Sequence, residues 1–144
     1  MELNSAFLLI FVSLLIGSMS FFAATVAPTV FKTLSLETAG IFLRAFFPRY
    51  YLWGLALAGI ASLIALTVDW FLALTCMVVA LLFVGARQVL MPKINQARDD
   101  ESDGKLVADK RFQTLHLVSV VINFAQLLML TVVAAYILLD FRWL

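Results

Sequence analysis

The sequence predicts an all-α fold, namely an integral membrane four-helix bundle with an interfacial amphipathic helix between spans 1 and 2. Of the 144 residues, 64% are hydrophobic and only 13% are charged. The mean hydropathy of +1.05 is too high for a soluble domain with a solvated surface. Four apolar runs also reach the length of about 20 residues that a helix needs to cross a bilayer. The lipid bilayer is therefore the expected environment of the chain.

The four runs cover residues 5–27, 50–68, 71–90 and 117–139 of a single membrane domain, residues 1–144. Only Asp69 and Trp70 separate the second run from the third, and together these runs are about twice too long for one crossing. The chain is therefore expected to turn at Asp69. We interpret the first run as a retained helix, because no Lys or Arg precedes it and its apolar part is too long for a signal peptide.

The orientation follows from Lys and Arg, which concentrate in cytoplasmic loops. Nine of the ten lie in or next to residues 28–49 and 91–116, and only Arg142 lies elsewhere. This asymmetry predicts that both loops are cytoplasmic and that both termini lie outside. The expected location is the plasma membrane, specifically a bacterial inner membrane.

The first loop, residues 28–49, is rich in large apolar side chains, which is typical of a segment that lies on the membrane surface. Ser35 is placed to cap a short amphipathic helix, and Pro48 is expected to end it before the second span. A lid or gate over a cavity between the spans is the alternative interpretation.

A stripe of polar residues is predicted on one face of the fourth span, because its members are spaced by three, four and three positions. The stripe consists of His116, Ser119, Asn123 and Gln126. Polar groups inside a membrane face protein or water, so the stripe is a candidate polar pocket that opens to the cytoplasm. Arg87 joins it if its side chain turns inward, whereas snorkelling to the interface is the default. Helix packing is the alternative role of the stripe.

Small residues form two further stripes that permit close helix contact. They are Gly17, Ser20 and Ala24 on the first span, and Gly54, Ala58 and Ser62 on the second. We expect both stripes to pack around the fourth helix.

Several classes of protein are disfavoured. The net charge of +1 argues against nucleic-acid binding, and the single cysteine and single histidine argue against a metal or haem site, so no metal and no cofactor are expected. A soft-metal site at Cys76 is a weak alternative. No nucleophile–base pair, carboxylate dyad or Gly-rich phosphate loop can be assembled, so we expect no enzyme.

Short sequence fragments, spread over nearly the whole chain, stand in a distinctive order. They are Gly17 and Phe21, Val26-Ala27-Pro28-Thr29-Val30-Phe31, Ala39-Gly40, Phe47-Pro48-Arg49-Tyr50-Tyr51, Pro92 with Asn95 and Arg98-Asp99, and Phe112 with His116, Ser119 and Asn123. In this order they resemble the transmembrane-protein-205-like family, a set of four-span proteins of unknown function. The resemblance marks Pro28 and the turn of Phe47, Pro48 and Tyr50, together with the polar stripe, as the positions to mutate first.

The resemblance also implies an architecture similar to four-helix copper-resistance and haem-pathway membrane proteins, from which this chain departs because it lacks their additional histidines. An animal member of the family is associated with resistance to platinum drugs, which implies transport, export or trafficking.

The leading hypothesis is a non-enzymatic membrane protein that binds or transports a small polar or anionic solute through the cytoplasm-facing pocket. Transport by so small a chain would need a homo-oligomer. The main alternative is a scaffold or accessory subunit of a larger membrane complex, and a metal or haem accessory protein is a weaker one.

Overall fold

The computed structural model describes residues 3–102 and 108–140, which are helical apart from short connections. The α-helices are α1 (Leu3–Phe21), α2 (Ala27–Thr33), α3 (Leu36–Ala65), α4 (Trp70–Gly85), α5 (Met91–Ser102) and α6 (Ala108–Asp140). One π-helical turn, Phe22–Val26, joins α1 to α2, and another, Ala86–Leu90, joins α4 to α5. The all-α prediction is confirmed for the described part of the chain.

Three continuous helical stretches of the described residues are long and apolar enough to cross a membrane. They are Leu3–Thr33, Trp70–Asp100 and Lys110–Leu139. These stretches contain the predicted first, third and fourth spans. The second predicted span lies in α3, whose first half carries Glu37, Arg44 and Arg49. The remaining apolar part, residues 50–65, is about 24 Å long, so a crossing by α3 stays a prediction.

Pro48 does not end a helix, contrary to expectation. The predicted interfacial helix and the second apolar run form one continuous helix, α3, with Pro48 inside it. A proline removes one backbone hydrogen bond and pushes the preceding turn aside. One turn around Pro48, the Arg49 guanidinium donates to the Ala45 carbonyl at 2.6 Å. The expected cap is present, since the backbone N–H of Thr38 donates to the Ser35 hydroxyl at 3.3 Å.

The second predicted loop, residues 91–116, is also largely helical, because α5 and the beginning of α6 occupy most of it. Its centre, residues 103–107, lies outside the described residues, as do the terminal residues 1–2 and 141–144.

The turn expected at Asp69 is present. The Asp69 carboxylate accepts hydrogen bonds from the backbone N–H groups of Phe71 and Leu72, at 2.7 and 3.2 Å, and so caps α4.

Each π-helical turn precedes a proline by the same distance. Pro28 lies two residues after the first turn and Pro92 two residues after the second. A proline ring clashes with the carbonyl four residues earlier, which belongs to Ala24 in one case and Gln88 in the other. Both carbonyls lie at the centre of their π-helical turn. The wider turn therefore accommodates the proline while the helix continues.

The core lies between α1, α3, α4 and α6, with α3 against both α1 and α4, and α6 also against both. On α1 the buried face consists of Leu8, Val12, Leu15 and Met19. The small residues Gly17, Ser20 and Ala24 are exposed, so the expectation that they pack around the fourth helix is wrong for contacts within the chain. Both faces have the same helical spacing, and the larger side chains of the buried face make more van der Waals contacts in the core.

The small-residue stripe of α3 is buried, but it packs against α4 rather than α6. A Cβ at Gly54 would lie 2.5 Å from the Phe83 ring, so only glycine allows this contact. Ala58 is fully buried. The Ser62 hydroxyl donates to the Ala73 carbonyl at 3.0 Å. The stripe therefore lets α3 and α4 approach closely along much of their length.

Substitution of Gly54 tests this contact. Gly54→Ala should lower the free energy of unfolding by about 1–3 kcal/mol, because the new methyl group overpacks a buried ring. Gly59→Ala is the matched control, since a Cβ at Gly59 meets nothing within 4 Å. This control should be neutral or stabilising by up to about 1 kcal/mol through helix propensity. Denaturant titration in mixed micelles measures both, and equal behaviour of the two variants would contradict the packing described here.

Candidate functional site

Two adjoining cavities lie between the helices. The first, here called the aromatic chamber, has a volume of about 340 Å³ and reaches Tyr50, Asn123 and Gln126. The second, here called the arginine chamber, has a volume of about 290 Å³ and reaches Arg44, Asn95 and Arg98. The two share a wall formed by Phe22, Ala27, Phe31, Phe47, Tyr51, His116 and Ser119. Each chamber is at the lower end of the size range of small-molecule sites.

The irregular parts of three helical stretches line the aromatic chamber. Phe22 and Ala23 come from the first π-helical turn, and Ala86 and Leu90 come from the second. Phe47, Tyr50 and Tyr51 flank Pro48 on α3. A π-helical turn or a proline spoils the close fit of regular helices, and such features are frequent at functional sites. The cavity therefore lies where the prolines disturb the helices.

Aromatic rings form one wall of this chamber. Phe22 stacks on Phe46 with ring centroids 5.2 Å apart, and it meets Phe47 edge-on at 5.4 Å. Phe47 in turn stacks on Tyr51 at 5.4 Å. Stacked and edge-on pairs of this kind hold one another in place and present a large apolar surface. The wall is therefore suited to a flat or apolar ligand group.

All four residues of the predicted polar stripe line the aromatic chamber. Their side chains also bond within the chain. The Asn123 amide nitrogen donates to the Tyr50 hydroxyl at 3.4 Å, and that of Gln126 donates to the Val79 carbonyl at 3.2 Å. The Ser119 hydroxyl donates to the His116 carbonyl at 2.6 Å. The stripe thus joins α6 to α3 and α4 as well as lining a cavity, so it combines the two roles considered for it.

Arg87 does not line either chamber. It lies on a separate surface groove of about 330 Å³ with Arg44, Pro48, Pro92 and Asn95. An inward turn of Arg87 towards the polar stripe was the alternative to snorkelling. Arg87 lines neither of the chambers that His116 borders.

Arg98 lines a chamber but was not among the pocket residues predicted from the sequence. It lines the arginine chamber, and its guanidinium carbon lies 5.5 Å from the centroid of the Phe112 ring. Phe112 stacks on the His116 ring at 6.2 Å. A Cβ at Gly40 would lie 2.9 Å from Arg98 Nη1, so the absence of a side chain at Gly40 makes room for the guanidinium. Gly40 and Arg98 both belong to fragments that carry the family resemblance. Helical periodicity relates only neighbouring residues, so it could not predict that these two residues meet.

A second arginine at this end is engaged in an ion pair. Arg44 Nη2 lies 2.6 Å from Asp99 Oδ1, and Nη1 lies 3.4 Å from Oδ2, which makes the pair bidentate. Arg44 and Asp99 therefore largely neutralise each other beside the arginine chamber.

A family model described as a domain of unknown function, DUF4149, matches residues 10–103. The chain belongs to this family. The matched DUF4149 region includes both π-helical turns, all three prolines, Gly40 and Arg98, and it ends before α6. No curated protein and no solved structure matches the chain.

The DUF4149 description names no activity. Among the described residues, no three His, Cys, Asp or Glu side chains lie close enough together to hold a metal ion. The cavity that the DUF4149 region builds with α6 is therefore the feature from which a function can be argued.

The bond between Gln126 and Val79 can be tested by mutation. Gln126→Leu keeps the size of a buried side chain but removes a hydrogen bond between α6 and α4, so the free energy of unfolding should fall by about 1 kcal/mol. Thr131→Val is the control, because the Thr131 hydroxyl is exposed and donates at 2.8 Å to Leu127 of its own helix. Denaturant titration in mixed micelles distinguishes them. A loss from Thr131→Val as large as that from Gln126→Leu would contradict the interhelical role.

Proposed function

We propose that this protein is a non-enzymatic, multi-pass protein of the plasma membrane that binds a small solute in the two chambers. In this proposal the four apolar segments all cross the membrane, the chambers open towards the cytoplasm, and both termini lie outside. A bacterial inner membrane fits this orientation. The observation that carries the proposal is that residues of both π-helical turns, together with Phe47 and Tyr50 on either side of Pro48, line a single cavity.

The contact between α3 and α4 supports a crossing by α3. Near the turn at Asp69, Ser62 bonds to Ala73, and further along Gly54 faces Phe83. The two helices therefore run antiparallel and side by side. Because α4 belongs to a stretch that is long and apolar enough to span, a partner at the same depth is best explained as a span as well.

The nature of the cavity supports ligand binding over simple helix packing. Regular helices with small-residue faces can close such a space, whereas here residues of both π-helical turns line it. Aromatic walls with a few convergent polar groups are typical of small-molecule sites. The resemblance to transmembrane-protein-205-like proteins favours transport or export of the solute, for which two or more copies of the chain would have to assemble.

A scaffold or accessory subunit is the second candidate function. One observation favours it, namely the exposed stripe of Gly17, Ser20 and Ala24 on the first helical stretch. Gly17 of this stripe borders a surface groove together with Ser13 and Ser18. Small residues on a lipid-facing surface permit a close contact with a helix of another membrane protein.

Labelling of single cysteines in the full chain tests the crossing of α3 and the orientation. In a Cys76→Ala background, Thr67→Cys should react with a membrane-impermeant maleimide in intact cells, and Lys32→Cys and Lys110→Cys should react only after lysis. If α3 lay on the surface instead, residues 32 and 67 would lie on the same side and would react under the same condition. The parent protein is a suitable control, because its cysteine is buried.

Blocking the cavity tests the binding function. The protein is purified in mild detergent, and the bound small molecules are extracted and identified by mass spectrometry. Ala27→Phe places a ring in the wall shared by the chambers and should abolish a co-purifying small molecule. Ala24→Phe is the matched control, because Ala24 is exposed and lines neither chamber, and it should retain that molecule.

The same pair of variants separates the two candidate functions. A stoichiometric membrane protein that is lost from Ala24→Phe and retained by Ala27→Phe would favour the scaffold. If no extracted small molecule depends on Ala27, the binding function is wrong.

A further inference from the structure

We propose that the ligand is an amphiphile, with an anionic carboxylate or phosphate head bound by Arg98 and an apolar chain in the aromatic chamber. This inference rests on the proposed binding function and adds the chemical class of the ligand. It follows from the different chemistry of the two chambers.

The aromatic chamber suits an apolar chain. Two of its polar side chains already have partners within the chain, since the Asn123 amide donates to Tyr50 and the Gln126 amide donates to Val79. No buried side-chain nitrogen or oxygen of the described residues lacks a hydrogen-bond partner. A polar ligand would have to leave water and would find few free groups to bond, which is costly. An apolar chain has no hydrogen bonds to water to lose, and it gains contact with the aromatic wall.

The arginine chamber suits an anionic head. Among the side chains that the structure describes, residues 3–100 and 110–139, no carboxylate pairs with Arg98. Its contacts are the face of Phe112 and a hydrogen bond of 3.5 Å to the Leu36 carbonyl. Both contacts leave donors of the planar guanidinium available for a carboxylate or phosphate. Phe112 and the space at Gly40 hold the guanidinium at the chamber wall, so a bound anion would meet a positioned donor.

The charged side chains that line the arginine chamber are Arg44 and Arg98. Asp99 is the nearest acid on the same helix, and it forms the bidentate pair with Arg44. Asn95 and His116 also line the chamber and add polar groups without negative charge. Glu37 does not line the chamber but borders the neighbouring surface groove, together with Arg98 and Asp99. The side chains that line the chamber itself therefore carry no negative charge.

The chambers also have a suitable arrangement along α6. Phe112 lines the arginine chamber and Gln126 the aromatic chamber, and the helix rises about 21 Å between these residues. With the proposed orientation, Arg98 lies at the cytoplasmic membrane surface and the aromatic chamber lies deeper. An amphiphile would have the same orientation as a lipid, with its head at the surface and its chain in the hydrocarbon.

Photocrosslinking of the full-length protein in non-ionic detergent tests the inference. The probe is a diazirine analogue of palmitate, and intact-mass spectrometry measures the labelled fraction. Arg98→Gln should weaken labelling on the order of tenfold, as expected for the loss of one charge-assisted hydrogen bond, and Arg98→Lys should keep part of it. Lys93→Gln is the matched control, because it removes the same charge from an exposed position of α5 that lines neither chamber, and it should label like the wild type.

Competition on the wild-type protein identifies the head and the chain independently of any folding defect in the variants. Palmitate and lysophosphatidic acid should both suppress labelling, whereas methyl palmitate, with a neutral head, and inorganic phosphate, with no chain, should compete on the order of tenfold less well. Equal competition by methyl palmitate would overturn the anionic head, and equal competition by inorganic phosphate would overturn the chain.

Ala27→Phe separates failure of this inference from failure of the proposed function. Loss of labelling in this variant together with equal competition by methyl palmitate would leave cavity binding intact and remove only the role of Arg98. Undiminished labelling of Ala27→Phe would place the probe outside the chambers, and the amphiphile inference and the cavity-binding function would then both be wrong.

Discussion

Peptide groups inside a bilayer have no water to bond, so each proline in a membrane helix forces its neighbours to find another arrangement. All three prolines of this chain lie within helical stretches. Around Pro28 and Pro92 the helix widens into a π-helical turn, and near Pro48 the Arg49 side chain donates to the Ala45 carbonyl at 2.6 Å. The helices therefore continue through the prolines, but they are no longer regular there.

The cavity follows from this irregularity. Regular helices pack closely where small residues allow it, as Gly54 does against Phe83. Where a helix widens into a π-helical turn, the helices cannot approach each other as closely. Rings such as Phe22 and Tyr51 line the space that remains. A stable core and an open chamber therefore exist side by side in the same set of helices. The DUF4149 region supplies both, and α6 closes the remaining side.

The polar groups divide into two kinds. Asn123 and Gln126 bond to neighbouring helices, which stabilises the association of α6 with α3 and α4. Gln126 is only 2% exposed, and a buried amide without a partner would be costly. Arg98 instead lies at the edge of the cavity with a ring beneath its guanidinium and with donors to spare. This difference separates residues that hold the structure together from a residue available to a ligand.

Sequence alone established the all-α class, the turn at Asp69 and the polar stripe of α6, because hydropathy and helical periodicity act over neighbouring residues. It could not decide whether a helix ends at Pro48 or continues, nor which of two equally spaced faces of α1 enters the core, since both depend on what packs against them. The meeting of Gly40, Arg98 and Phe112 was decided only by the tertiary structure. These residues belong to three different helices, and the guanidinium reaches its position because α3 leaves room for it and α6 supplies the ring.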